Sequence, residues 1–325
     1  AYTAPHWPLQ APAETIDKYR GQYDDGYDAL AEKRLMSLEQ IGLIEPGHIA
    51  PEQAYPETES WNNLSDEQKQ IDAREMETYA AMVDNMDYHI GRVLDYLDES
   101  DQRDNTIVIF ISDNGAQGFG PGMARAFPQD WIDETFDNSF DNIGKINSYV
   151  YLGPHWARAS TAPMRMFKGF SSDGGLKVPA IISYPGKLET RAGTFNNQFT
   201  TVLDLPATFL DIAMAKHPGT SYKGRQVHPY TGVSMMPFLN GESETVHEPD
   251  DVVAWELNDS RAVRKGDWKI ILIPGRFGTG DWELFNIKND PAERNDLSEA
   301  EPEKRNEMVA EWEKYASANG IIIAE

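Results

Sequence analysis

Thr106-Ile107-Val108-Ile109-Phe110-Ile111 runs straight into Ser112-Asp113-Asn114-Gly115. A run apolar on both faces and bounded by turn residues reads as a central parallel strand covered by helices on both sides. Upstream, Ser65-Asp66-Glu67-Gln68 has the form of a capping box, with Gln68 placed to reach back to the cap amide. Behind it Met76, Tyr79, Ala80, Val83, Met86, Ile90, Val93, Leu94 and Leu97 trace one apolar stripe, which predicts a long amphipathic helix ending near Ser100. Helix, short turn at Asp104-Asn105 and buried strand together indicate an open α/β sheet. Ligands of such sheets sit outside the carboxyl ends of the strands, where Asp113 and Asn114 fall.

Working outward, residues 1–64 are rich in Pro, Gly and Tyr, with one helical stretch from Asp28 to Ile41. Residues 115–165 carry no clear period and read as a long loop, a feature usually tied to function or disorder. Val178 to Tyr184 is expected as a second buried strand. Asp204 can cap a helix with Pro206 in its first turn and Phe209, Leu210 and Ala213 on one face. Beyond Asn240-Gly241-Glu242 the pattern changes to short strands: Val252–Leu257, Arg261–Lys265, Trp268–Ile273 and Trp282–Asn286, with Gly266-Asp267 as a hairpin turn. A final helix over about 302–318 presents Met308, Trp312 and Tyr315 to that antiparallel sheet. The expected division is therefore an α/β part, 1–240, and a sheet-and-helix part, 241–325.

The hydrophobic share of 40% is enough for a packed core, and no apolar run approaches the roughly 20 residues that span a bilayer. A net charge of −24 argues against nucleic acid or an anionic membrane as partner. An anionic substrate would then need a local cationic pocket. The absence of cysteine excludes disulfides, thiolate metal sites and Cys nucleophiles from this stretch. It does not fix the compartment, periplasm and cytoplasm both being compatible.

By itself Asp113-Asn114-Gly115 is ambiguous, since Asx-Gly after a strand is commonly a turn. Its position favours a site, and its oxygens suit a hard cation such as Ca²⁺ or Mg²⁺. Ca²⁺ takes about six to eight oxygens, so further ligands would come from elsewhere. His6, between Pro5 and Trp7, reads equally as a hydrogen-bonded loop residue. Lys168 could be a surface lysine, but Gly169 and Gly174-Gly175 around it would let a ligand approach the backbone closely. A lysine near an ester oxygen stabilises charge growing on a leaving group. His155-Trp156 could line a pocket mouth, although packing is the commoner role of such rings. The acidic stretch Asp130 to Asp141 reads as a solvated face.

Ala4-Pro5-His6-Trp7-Pro8-Leu9-Gln10, Ser112-Asp113-Asn114-Gly115-Ala116, and Phe167-Lys168-Gly169 followed by Asp173-Gly174-Gly175-Leu176-Lys177-Val178-Pro179 occur in an order that resembles the back half of a type I sulfatase, closest to the bacterial arylsulfatases. Tyr79 to Asp84, Ile90 to Leu94, Arg261 to Arg264, Gly266 to Lys269, Trp282 to Asn286 and Asp290-Pro291 extend the similarity over most of the chain. The resemblance implies an alkaline-phosphatase-like core, the back part of its mixed sheet with flanking helices, plus a C-terminal four-stranded antiparallel sheet and helix. It implies hydrolysis of small-molecule sulfate monoesters, aryl sulfates foremost, by a formylglycine hydrate whose hemiacetal expels sulfate. Matching positions are Asp113 and Asn114 for Ca²⁺, in preference to Mg²⁺, and His6 and Lys168 for the sulfate. The family usually shows Glu-Gly-Gly with Arg where this chain has Asp173-Gly174-Gly175 and Lys177; losing the Arg loses a bidentate fork.

No Cys/Ser-x-Pro-x-Arg motif, the source of formylglycine, occurs in the sequence; Thr161-Ala162-Pro163-Met164-Arg165 only imitates it. The chain alone is therefore expected to be catalytically incomplete, its nucleophile lying in a missing N-terminal part, with an exposed sheet edge and apolar face. A phosphate or phosphonate ester hydrolase of the same superfamily and a non-catalytic fragment or pseudoenzyme are the alternative readings.

Overall fold

The computed structural model describes residues 1–47, 59–122 and 126–323. In chain order the elements are α1 (Ala13–Asp17), α2 (Gly26–Gln40), α3 (Asp66–Glu99), β1 (Val108–Ile111), α4 (Gln129–Thr135), α5 (Gly153–Thr161), α6 (Asp173–Leu176), β2 (Ala180–Ser183), α7 (Asp204–Ile212), β3 (Ser221–Tyr222), β4 (Arg225–Gln226), α8 (Met236–Leu239), β5 (Val252–Leu257), β6 (Ser260–Lys265), β7 (Trp268–Leu272), β8 (Trp282–Asn286) and α9 (Pro302–Asn319). Contacts divide them into two compact units, one of residues 1–96, 111–180 and 252–325, the other of 97–110 and 181–251. This division cuts across the 1–240 and 241–325 split read from the sequence.

In the larger unit, β5, β6, β7 and β8 form an antiparallel sheet in that order, with Val263 opposite Ile270 and Ile270 opposite Leu284. These three, fully buried, pack with Met308 and Trp312 of α9, two of the three residues expected to face the sheet; Tyr315 does not join that cluster. Residues alternate to the sheet's other face, where Ala262, Ile271 and Phe285 join Phe167, Phe170, Trp156 and Tyr27 in the main core. The sheet thus buries both faces. A separate cluster of Leu9, Met82, Ile143 and Val150 ties the N-terminal segment to α3.

At the start of α3 the Gln68 amide donates to Ser65 Oγ at 3.2 Å, but the Gln68 side chain donates forward to Asp72 rather than back to the cap. Half of the expected capping box is present. Of the apolar stripe only Met76 is buried, with Ala73, Ala81 and Met82 buried beside it, outside the stripe; Val83, Val93 and the neighbouring Tyr88 and Tyr96 are exposed.

β1 pairs with β2 in a two-stranded sheet. The expectation of a strand covered on both sides needs correcting: Ile111 is 39% and Ile181 62% exposed. Where a continuous loop was expected over 115–165, the chain forms α4 and α5.

In the smaller unit α7 buries Asp204, Ala207 and Thr208, while Phe209 of the predicted face is exposed. A buried carboxylate explains the rotation. Asp204 accepts from the Thr201 and Val233 amides at 2.6 and 2.9 Å and lies 3.0 Å from His247 Nε2. These bonds offset its desolvation and fix which side of the helix turns inward.

Candidate functional site

The chain leaves β1 through a turn built by its own polar groups. Ser112 donates its amide to Pro179 O at 3.4 Å and its hydroxyl to Asn114 O at 2.9 Å. The Gly115 amide then donates to Gly175 O at 3.0 Å. A Cβ on residue 115 would overlap the Gly174 carbonyl oxygen, so the close approach of the two backbones requires glycine. Asp113 is left exposed and Asn114 half-buried.

The next residues collect the other candidates. Ala116 O accepts the Lys168 amide at 3.0 Å, and Phe119 O accepts Trp7 Nε1 at 3.1 Å. One short loop that begins with Asp113 therefore holds both the segment of Lys168 and the segment of His6. His6 is exposed; its ring lies 4.5 Å from that of Trp7, and its Nδ1 is 3.0 Å from Trp7 O. A carbonyl only accepts, so this bond places the proton on Nδ1 and leaves Nε2 for another partner. Among the described residues no three His, Asp or Glu side chains gather as a metal site.

Lys168 stands on a loop closed by the Gly174 amide donating to Arg165 O at 2.9 Å. The four-stranded sheet grips this loop at several points. Arg165 makes a bidentate pair with Glu283 of β8 at 3.2 Å. The Ser171 amide donates to Ser260 Oγ and its hydroxyl to Ser260 O, both at 2.9 Å, at the start of β6. Lys269 of β7, fully buried, bridges Asp173 at 2.5 Å and the buried Glu293 at 2.6 Å. The Glu293 carboxylate also accepts the Asp173 amide.

Two carboxylates share one buried cation here, and their proton affinities separate. Burial pushes Asp173 up, but Lys269, helped by Lys177 and Arg264, holds it below its ordinary value. Burial pushes Glu293 up to about 7, Asp173 adds to the rise, and Lys269 only partly opposes it. Lys269 loses affinity through burial and regains more from the two carboxylates, ending raised. A raised acid favours the folded state most below its unfolded value, and that contribution is lost as pH rises through the folded value. Burial raises Glu75, Asp72 and Asp28 in the same direction. Stability is therefore expected to fall between about pH 5 and pH 8, read as the thermal midpoint, with a shallower slope in Glu293→Gln. A slope unchanged by that substitution would remove Glu293 from the account.

His155 and Trp156 do not line a mouth. Trp156 is 2% exposed and donates to Asp72 O, and His155 stacks on Tyr27 with ring centroids 4.4 Å apart. Thr161 of the imitation motif donates to Met166 O at 2.8 Å, holding the same turn. The rings near His6 are ones the sequence reading passed over. Trp7 lies 6.0 Å from Tyr149, Tyr149 4.9 Å from Phe136, Phe136 5.6 Å from Trp131 and Trp131 5.2 Å from Phe127. Phe127 and Trp131 are each 42% exposed. Their signal was present as aromatic residues recurring through an acidic stretch otherwise read as solvated.

Comparison with known proteins gives this geometry a context. A sulfatase family model matches residues 1–215, and a model of the N-sulphoglucosamine sulphohydrolase C-terminal region matches residues 165–315. An uncharacterized sulfatase of Schizosaccharomyces pombe is 40% identical over 99% of this chain and 58% of its own length. The arylsulfatase of Klebsiella aerogenes is 37% identical over 72% of this chain and 49% of its own. The chain spans about half the length of these relatives. Among solved structures, Ps i-CgsB superposes with a TM-score of 0.58 at 23% identity, over 97% of this chain and 49% of that one. The likeness identifies the fold as that of the alkaline-phosphatase-like sulfatases.

Proposed function

We propose that this chain, which belongs to the sulfatase family, supplies the metal pair and the sulfate-binding side chains of a sulfate monoester hydrolase whose nucleophile lies outside these 325 residues. The observation that carries the reading is the shared loop: the amide of Lys168 and the indole of Trp7, beside His6, both bond to carbonyls just beyond Asp113-Asn114. The donor set fits a hard cation, with a carboxylate at Asp113 and an amide oxygen at Asn114. Asp113 and Asn114 would hold Ca²⁺, which when bound supplies Lewis acidity and a template for the ester.

The chain's own residues do the remainder. The Lys168 ammonium donates to sulfate oxygens and offsets charge that builds toward the leaving group. His6, its Nδ1 proton held by Trp7 O, would donate from Nε2 to the sulfate or the departing oxygen as the imidazolium, because the neutral tautomer leaves Nε2 an acceptor. Both act in a protein whose mean field repels anions, at net charge −24, so the local cation matters for entry as well as for chemistry. The rings running from Trp7 through Tyr149 and Phe136 to Trp131 support an aryl alcohol, which would stack beside the sulfate.

The deciding experiment uses the full-length protein with 4-nitrophenyl sulfate and 4-nitrophenyl phosphate at equal concentration. The sulfate is expected to be hydrolysed faster, and chelation of divalent cations to stop turnover until Ca²⁺ is restored. Preference for the phosphate would assign the site to phosphoryl transfer instead.

A further inference from the structure

The contacts that reach the Lys168 loop come from far along the chain. Lys269 lies 96 residues from Asp173, Glu293 lies 120 from it, Glu283 is 118 from Arg165 and Ser260 is 89 from Ser171. Three strands and the segment after β8 converge on residues 165–173, and all of them belong to one compact unit. The sheet already buries an apolar core on each face, so its stability does not call for a buried lysine. A buried ion bridge is weak evidence for stability, because desolvation offsets much of its attraction; its better-attested use is to fix one arrangement among several.

We infer that Lys269 and Glu293 are positioning residues for Lys168: the buried bridge Asp173–Lys269–Glu293 fixes the 165–175 loop against the antiparallel sheet and thereby sets where the lysine meets its ligand. The linkage can be followed atom by atom. Lys269 and the Glu293 carboxylate hold both the side chain and the amide of Asp173. The next residue, Gly174, donates to Arg165 O, closing the loop that carries Lys168. Gly175 O receives the Gly115 amide, one residue from Asn114. The bridge therefore reaches both the proposed cation and the proposed metal pair through main-chain bonds. Lys177 and Arg264 face Asp173 from the neighbouring segments, and Asp267 faces Arg264, so the bridge sits in a balanced charge environment.

This inference rests on the sulfate-ester reading for its activity readout, and a second readout is independent of it. In the full-length protein, Glu293→Gln and Lys269→Met should speed hydrogen exchange at the Lys168, Gly174 and Gly115 amides about tenfold, leaving the α9 amides unchanged. Turnover of 4-nitrophenyl sulfate should drop in kcat by about 10- to 100-fold with KM within about twofold, as expected when a group is misplaced by an ångström or less. Lys269→Arg, which keeps the cation, should restore most of both. Where Lys269→Met fails to fold, Glu293→Gln, which keeps the shape, decides alone. Protected amides together with unchanged kcat in a folded variant would reduce the bridge to a structural brace and overturn the proposal. Lys168→Ala run in parallel separates the two claims: if it stays active the sulfate reading falls, while the exchange data still decide positioning.

Discussion

Lys168→Ala in the full-length protein is expected to lower kcat for an aryl sulfate by about 10²- to 10³-fold, the range seen when a preorganised donor to a developing oxyanion is deleted. Lys168 is attached to the site loop by its amide, which alanine retains. Among the described residues no ion pair holds its ammonium, so little folding free energy should go with it: a surface-like change within about 0.5 kcal/mol. Lys168→Arg should recover part of the rate, since it keeps the charge but not the compact geometry. Turnover of 4-nitrophenyl sulfate and the thermal midpoint measured on the same preparation check both halves. Full activity in the alanine variant would dismiss Lys168 as a ligand.

Gly174→Ala is expected to be among the most damaging single substitutions, costing about 3 kcal/mol or more. A Cβ there would overlap the carbonyl oxygens of Met166 and Arg165, and one on Gly175 would overlap that of Phe170. These are main-chain atoms and cannot swing aside. Gly174 does not adopt a positive φ, so the requirement is for space and not for backbone conformation. Relief would require opening the Gly174–Arg165 hydrogen bond and, with it, the loop that presents Lys168. Gly91→Ala makes the control: it lies in α3 with nothing within 4 Å of the added carbon, and should be stabilising by about 0.5–1 kcal/mol. Denaturant unfolding of the two variants beside the parent tests the contrast. Similar stabilities would mean the loop is looser than its packing suggests.

The parts of the fold written in local sequence were legible. Strands β5 to β8 lie within about a residue of their expected bounds, because alternation and turn residues such as Gly266-Asp267 act over short distances. The position of Asp113-Asn114-Gly115 at a strand end was legible too. The inward face of α7 was not, because Asp204 takes its partners from Val233 and His247, on separate segments. Helices α4 and α5 hid in an apparent loop; they are short, and neither has a side-chain hydrogen bond at its cap to announce it. The grip on the Lys168 loop was invisible for a similar reason. Asp173 and Lys269 belong to motifs noted separately, and only the folded chain brings them together.

The attachment of position 168 through its peptide nitrogen has a practical reach. Any residue except proline can make that bond, so a saturation library at this one site would vary the chemistry offered to the ligand while leaving its mounting intact. Position 7 gives no such latitude, because there the anchoring atom belongs to the indole itself. Efforts to vary ligand preference at the proposed site should begin at the first position and leave the second alone.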